Sequence, residues 1–525
     1  MKKLLALVLA LSAFILFVTL VVVPLQGGSP YAIPGNTTEY QDTLPIQDVN
    51  IGEQGRSIFI AVVMLGHVLF ANLHLGGSWV AVGSESLGIR TKKERYDRIG
   101  KSVTLFNVIL FSLGATFAIA GVLFFVALFP VFATELFHIY WWPLFFEALA
   151  FAAEIVFLYT YWFTWDKLSK RWHQVLGFAY AISVFVQTLL INMVAAGMLT
   201  PGSDSITWGE SGVITMPIED LMAWWFNPTM LRLQFHRVFA SISYFGFLLT
   251  MLAMFHYMDR KDDESKKYWD WVGSYGIGWG LLGLILQPAF GMIYMLAIFD
   301  AQETAFMAIM HGPRAWEMLM MVGLYSVLIL TVIVYFTDRR EKILSLPENS
   351  MLQTLFKVFL IVASIAALVL VQPAWLGAAS IDDPNAWENP LGIMDYKYPA
   401  IFILATIGAL ILMIDGVMLG DTKESEWGKL PKVSRLAGIM TGIIGMWIVV
   451  IMGYVRESAR SPWVIYDIIP VPASDTNPTP IWIGRILIVW LAVMVIAVTV
   501  FWFTSKVTAH HPETAEVIAE EPTDI

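Results

Sequence analysis

The chain has 525 residues, of which 57% are apolar and 14% charged; its formal net charge is −10 and it contains no cysteine. Soluble domains carry about 25% charged residues, so an ordinary soluble enzyme is excluded. The missing thiols exclude disulfides, iron–sulfur clusters, thiolate metal sites and covalent CxxCH haem attachment. No Walker-type or GxGxxG segment stands in a strand–turn–helix setting, and no nucleic-acid partner is expected.

The first apolar run, residues 4–23 of "MKKLLALVLALSAFILFVTLVVVPLQGG", is longer than the roughly 7–15 residues of a signal-peptide core, and no A-x-A site follows it. It is read as a retained anchor helix. Further spans are predicted at 57–84, 102–130, 140–163, 174–198, 232–258, 271–298, 315–337, 354–376, 398–420, 434–455 and 480–504, which makes twelve. The connections alternate in charge. "GIRTKKERYDRIGK", "TWDKLSKRWH", "MDRKDDESKK", "TDRREK" and "DTKESEWGKLPKVSR" are basic-rich, whereas "LTPGSDSITWGESGVITMPIEDLMAWWFNPTM" is nearly free of Lys and Arg. The positive-inside rule then sets both termini in the cytoplasm. The expected fold is an all-α polytopic membrane bundle of about twelve transmembrane helices, N-in and C-in, with an acidic cytoplasmic tail over 505–525.

This topology assigns a depth to each polar residue in a span. His67 and His74 lie in "GHVLFANLHLGG", Glu147 and Glu154 in "PLFFEALAFAAEIVF", His236 in "NPTMLRLQFHRVFASISYFG", Met321 in "EMLMMVGLY" and Glu457 in "GYVRESARSPW". Five spans therefore bring candidate ligands to the outer half of the bilayer. Ionisable groups there are costly and mark function by default. Taken singly the features are ordinary: a lone membrane histidine often bridges helices, Met321 alone reads as core packing, and Glu457 beside Arg456 and Arg460 reads as an interfacial ion pair. Jointly they are not. His67 and His74 are seven residues apart, as are Glu147 and Glu154, so each pair shares a helix face with a rise of about 10 Å. Stepped carboxylates suit a proton relay, and His with Met on separate helices suits the axial positions of a low-spin haem. No compact set of three or four ligands suggests zinc.

These segments resemble subunit I of the cytochrome bd-type oxidases. The resemblance implies that His236 and Met321 ligate a b558-like haem b, and that His67 binds the haem of the oxygen-reducing site, haem d or a third haem b. "GYVRESARSPW" is similar to the family's E-x-x-R-Q-P-W element, which implies Glu457 as ligand of a b595-like haem b and Arg460 as its charge partner. "WWPLFFEALAFAAEIVFLYTYWFTWDKLSK" resembles the family helix with two acidic residues, and implies Glu147 and Glu154 near the haems or on the proton route. The family also implies a second membrane subunit, O2 as electron acceptor, and the prokaryotic cytoplasmic (inner) membrane as location.

The chain departs from the family pattern in several places. The family's long hydrophilic quinol loop is replaced by the short "FDAQETAFMAIMHGPR". Glu147 and Glu154 are one residue closer than the family spacing, and His74 is a second histidine on its span, expected as an extra cofactor ligand or a proton-handling group. The domain organisation is read as an anchor helix and outer loop (1–55), a haem-binding core (56–337), a two-helix insertion (338–433), C-terminal haem-binding helices (434–504) and the tail. The expected function is a respiratory oxidase subunit passing electrons from an external-side donor, quinol or a redox protein, to O2, with protons from the cytoplasm. The alternative is an electron-transfer subunit that does not reduce O2. A secondary transporter is disfavoured because no repeat with matched broken helices is visible.

Overall fold

The computed structural model describes residues 53–470, apart from 205–206, 209–213, 216–217, 312–314, 344–350, 375–388, 422–426 and 461–462, together with residue 495. The spans expected at 4–23 and 480–504, the anchor segment and the acidic tail lie outside the described residues. Within them the chain is a bundle of α-helices: α1 Glu53–Thr91, α2 Glu94–Leu128, α3 Pro130–Ile139, α4 Trp141–Phe163, α5 Lys170–Gly197, α6 Leu221–Trp225, α7 Met230–Asp259, α8 Asp263–Leu284, α9 Gln287–Ala301, α10 Glu303–Met310, α11 Ala315–Ile343, α12 Met351–Val371, α13 Lys397–Asp421 and α14 Lys432–Ala459. Ten helical stretches are long and apolar enough to cross a membrane, and each coincides with one of the ten internal spans expected from the sequence. The chain is an integral membrane protein.

The helices run past the apolar segments at the basic end. α1 continues to Thr91 and α2 starts at Glu94, so much of the basic loop is helical and only a tight corner remains. Lys92 makes that corner in the left-handed region, at φ 56°. At the third corner on this side Asp262 caps α8, its carboxylate accepting from the Ser265 backbone N–H at 2.7 Å. That bond holds the Asp262 carboxyl below its ordinary range.

α7 is the centre of the bundle, with α1, α5, α8, α9 and α14 all packed on it. Backbones approach closely where side chains vanish. A Cβ added at Gly246 would lie 2.2 Å from the Gly280 backbone nitrogen on α8, and one at Gly76 would lie 2.0 Å from the Ser241 carbonyl oxygen on α7. With no hydrophobic driving force between helices in lipid, such close contact supplies the packing energy. The long span Asp263–Ala301 is broken between α8 and α9. Pro288 in the first turn of α9 lacks an N–H and its ring opposes the carbonyl four residues earlier, so the helix restarts there. The freed side chain of Gln287 donates to the His236 carbonyl oxygen at 2.9 Å, which fixes α9 against α7.

Two short antiparallel ribbons, β1 Thr207–Trp208 with β2 Ile214–Thr215 and β3 Trp463–Ile465 with β4 Ile469–Pro470, lie at the end away from the basic corners. Ile465 and Ile469 bury against Tyr140, Val194 and Trp224, and the Tyr466 N–H donates to the Met198 carbonyl oxygen at 2.9 Å. This lid closes the end of the bundle to which α14 delivers Arg456, Glu457 and Arg460.

Gly246→Ala is expected to destabilise the fold by about 1–3 kcal/mol, because the obstructing atom is backbone and cannot rotate aside. A thermal-unfolding midpoint in detergent equal to the parent's would refute the close crossing.

Candidate functional site

α1 carries His67, His74 and Glu85, separated by seven and eleven residues. At 100° per residue these positions fall on one face, spread over about 27 Å of helix. Each is held differently. The His67 ring uses Nδ1 on the Gly114 carbonyl oxygen of α2, at 3.1 Å. With Nδ1–H donating there, the lone pair sits on Nε2, the tautomer and orientation of a metal-ligating imidazole.

Two turns further along, His74 is buried against α4 and α5. Its Nε2 lies 2.6 Å from Glu154 Oε1 and 3.1 Å from the Tyr180 hydroxyl. Glu154 is 1% exposed, and its Oε2 has no protein partner among the described residues, nor has His74 Nδ1. The carboxylate thus keeps one oxygen free to exchange a proton while the other is anchored. Glu147, on the same face of α4, is half-buried; it accepts from the Gln187 amide and lies within reach of the Glu154 charge. Both carboxylates therefore line one side of α4 facing α5.

A third group was not singled out from the sequence. Glu85 and His173 are both fully buried, with His173 Nδ1 2.5 Å from Glu85 Oε1. Tyr161 donates its hydroxyl to Glu85 Oε2 at 2.8 Å and its carbonyl lies 2.9 Å from His173 Nε2. The Tyr161 ring stacks on His173, and on its other side lies Tyr180, with centroids 6.1 Å apart. A continuous row of polar-tipped rings thus joins Glu85 to His74 and Glu154. Lys170 pairs with Asp97, and Lys101 with Asp166, where this row approaches the basic end. The available signal was an acid on the same α1 face as the two histidines; His173 was hidden within a loop read as merely basic.

On α7, His236 packs its ring beside Tyr294 of α9, centroids 6.1 Å apart, and Gly291 leaves room next to the imidazole. Nδ1 is buried without a hydrogen-bond partner among the described residues. A polar ring without a protein partner fits a ligand that binds through nitrogen. Met321 on α11 is a partly buried member of the same core, and its helix packs chiefly on α14. Glu457 lies in α14, but its side chain is outside the described residues. Arg460 follows the helix and donates from Nη1 to the Trp463 carbonyl oxygen at 3.1 Å. Among the described residues no group of three or more His, Asp or Glu is placed to hold a metal ion, so the histidines stand singly or beside one acid. Imidazoles offered one at a time with a thioether in the same core fit axial ligation of porphyrin iron.

A family model described as cytochrome bd terminal oxidase subunit I matches residues 56–512. Among solved structures, the bd oxidase from Geobacillus thermodenitrificans is similar at a TM-score of 0.50 and 17% identity, covering 86% of this chain and 97% of that one. That likeness concerns the fold. No curated protein matches the chain.

Removing His173 while leaving Glu85 is expected to cost about 3–5 kcal/mol, because an uncompensated carboxylate stays in the dry interior. His173→Ala combined with Glu85→Gln should recover part of that loss. Thermal unfolding of these two variants and of Glu85→Gln alone checks this, and an additive double variant would disprove the coupling.

Proposed function

The chain belongs to the cytochrome bd terminal oxidase subunit I family and is a subunit of a respiratory oxidase; from that premise we propose that it passes electrons from a donor on the outer side to O2, reduced to water with protons drawn from the cytoplasm. The observation that carries this reading is the single face of α1: an imidazole with Nε2 open at His67, and a buried His74–Glu154 pair two turns below it.

The family binds haem, and three haems are assigned here. His236 and Met321 hold a b558-like haem b, Glu457 holds a b595-like haem b with Arg460 beside it, and His67 holds haem d or a third haem b. Bound haem supplies the redox iron and the O2-binding position. The chain's own residues supply the rest. Gly114 holds the His67 ring at Nδ1, which would leave Nε2 to ligate the cofactor. Glu154 delivers protons from Oε2 while His74, itself in contact with the Tyr180 hydroxyl, fixes its other oxygen, and Glu147 passes protons on the same face. The role assigned to His74 is proton handling, on its 2.6 Å contact with the Glu154 carboxyl. Protons reach this pair from the basic end along Glu85, His173 and Tyr161.

In this reading the protein sits in the prokaryotic cytoplasmic (inner) membrane, N-in and C-in, and works with a second membrane subunit. Quinol or an external redox protein is the donor. The short connection over 299–314 stands where the family has its quinol loop. The added helices α12 and α13, with the segment between them, are therefore proposed to receive the donor. Crosslinking that leaves this segment untouched by any donor would count against that. The same short connection favours the second reading, an electron-transfer subunit without O2 reduction. Carbon monoxide binding to an open haem position separates the two.

Reduced-minus-oxidised spectra are expected to show low-spin haem bands in the purified protein, lost in His236→Ala and Met321→Leu. His67→Ala should lose the carbon monoxide shift and keep those bands. Unchanged spectra in all three variants would overturn the ligand assignment. Glu154→Gln should keep its haems but lower O2 uptake by about 10²-fold or more, in the range of a lost proton-transfer group.

A further inference from the structure

Two guanidinium groups to which the resemblance assigns no role meet near His236. Arg237 of α7 donates from Nη1 to Asn192 Oδ1 of α5 at 2.6 Å. Arg456 of α14 donates to the carbonyl oxygen of Ala195, also on α5. Asn192 and Ala195 are three residues apart, so the two anchors share a face with a rise of about 4.5 Å. Two helices thus deliver like charges to one spot on a third, close enough that each guanidinium feels the other. Among the described residues neither makes an ion pair with a carboxylate.

The groups around the pair are donors. The Tyr294 hydroxyl is buried without a partner among the described residues, and so is Nε of Arg456. Tyr294 lies within electrostatic reach of both arginines, and Arg237 within reach of both His236 and His67. Asn192 cannot balance the charge: its Oδ1 is taken by Arg237 and its amide donates to Gln234 Oε1 at 2.6 Å. Buried like charges surrounded by unspent donors require an anion. One with two oxygens and a planar shape matches the guanidinium fork.

We propose that Arg237, Arg456 and Tyr294 form the binding site for the propionate carboxylates of the haem held by His236, and that their positive charge raises that haem's reduction potential. The inference rests on the haem reading above. A cation near a haem stabilises the reduced iron, which carries one positive charge fewer. The pair also keeps the carboxylates ionised in a dry interior.

The test is a spectroelectrochemical titration of the purified holo-complex carrying Arg237→Gln, Arg456→Gln, Arg237→Lys or Arg456→Lys, with haem content measured on each sample. Both glutamine variants should lower the midpoint potential of the low-spin haem by about 59 mV or more, a tenfold change in its redox equilibrium. The lysine variants keep the charge and should recover most of that shift. Glutamine variants with the parental potential would overturn the site. So would lysine variants that fall as far as the glutamine ones, since anchoring α5 alone is blind to charge. Should both glutamine variants lose their haem, Tyr294→Phe carries the test, with a smaller fall expected and an unchanged potential overturning the site. Parental protein without haem would instead overturn the haem reading itself.

Discussion

An ionisable side chain inside a bilayer has to be given a partner, and the placement of those partners organises this bundle. Lipid offers no hydrogen bonds, and an isolated charge there is neutralised or expelled. α1 carries three such side chains on one face, and the helices around it are arranged to answer them. α2 brings the Gly114 carbonyl to His67, α4 and α5 bring Glu154 and Tyr180 to His74, and α4 and α5 again bring Tyr161 and His173 to Glu85. Moving α1 by one residue would turn that face by about 100° and break all three arrangements together.

The geometry is held by features that have no chemistry of their own. Gly76, Gly246 and Gly280 let α1 and α8 approach the α7 backbone closely, and Pro288 restarts the following helix as α9. That restart sets Gly291 and Tyr294 against His236, with Gln287 tied to the His236 carbonyl. Small residues and one proline thus decide where an imidazole can receive a cofactor.

Each of the ten internal spans was legible as a run of apolar residues, because in lipid that pattern alone decides which segments become helices. The ends were less so. Charged residues at the basic side continue the helices to Thr91 and from Glu94, since backbone hydrogen bonding does not stop where hydropathy does. His67, His74, Glu147, Glu154 and His236 were readable as ionisable groups at depth. Their partners were not: Gly114 acts through a carbonyl, Tyr180 and Tyr161 read as ordinary aromatics, and His173 lay in a basic loop. Arg237 was not singled out and Arg456 was read only within an interfacial ion pair, because the contacts with Asn192 and Ala195 that bring the two together join three separate helices.

Two sets of interior charge sit apart along the bundle. On the side leading from the basic loops, Glu85 is held by His173 and Tyr161, and Glu154 by His74, which in turn contacts Tyr180. Arg237 and Arg456 gather at the other end, under the β3–β4 lid and without a carboxylate among the described residues. Acids favour the arrival of protons and excess cations favour the arrival of electrons. In the proposed function, electrons arriving from one side and protons from the other would meet this separation. The gradient also sets a cost. Introducing a carboxylate among the arginines, or a further cation beside Glu154, would satisfy the local charge and spoil the separation. If His236 holds a haem as proposed, an acid supplied by the protein beside Arg237 and Arg456 would occupy the place of the cofactor's own.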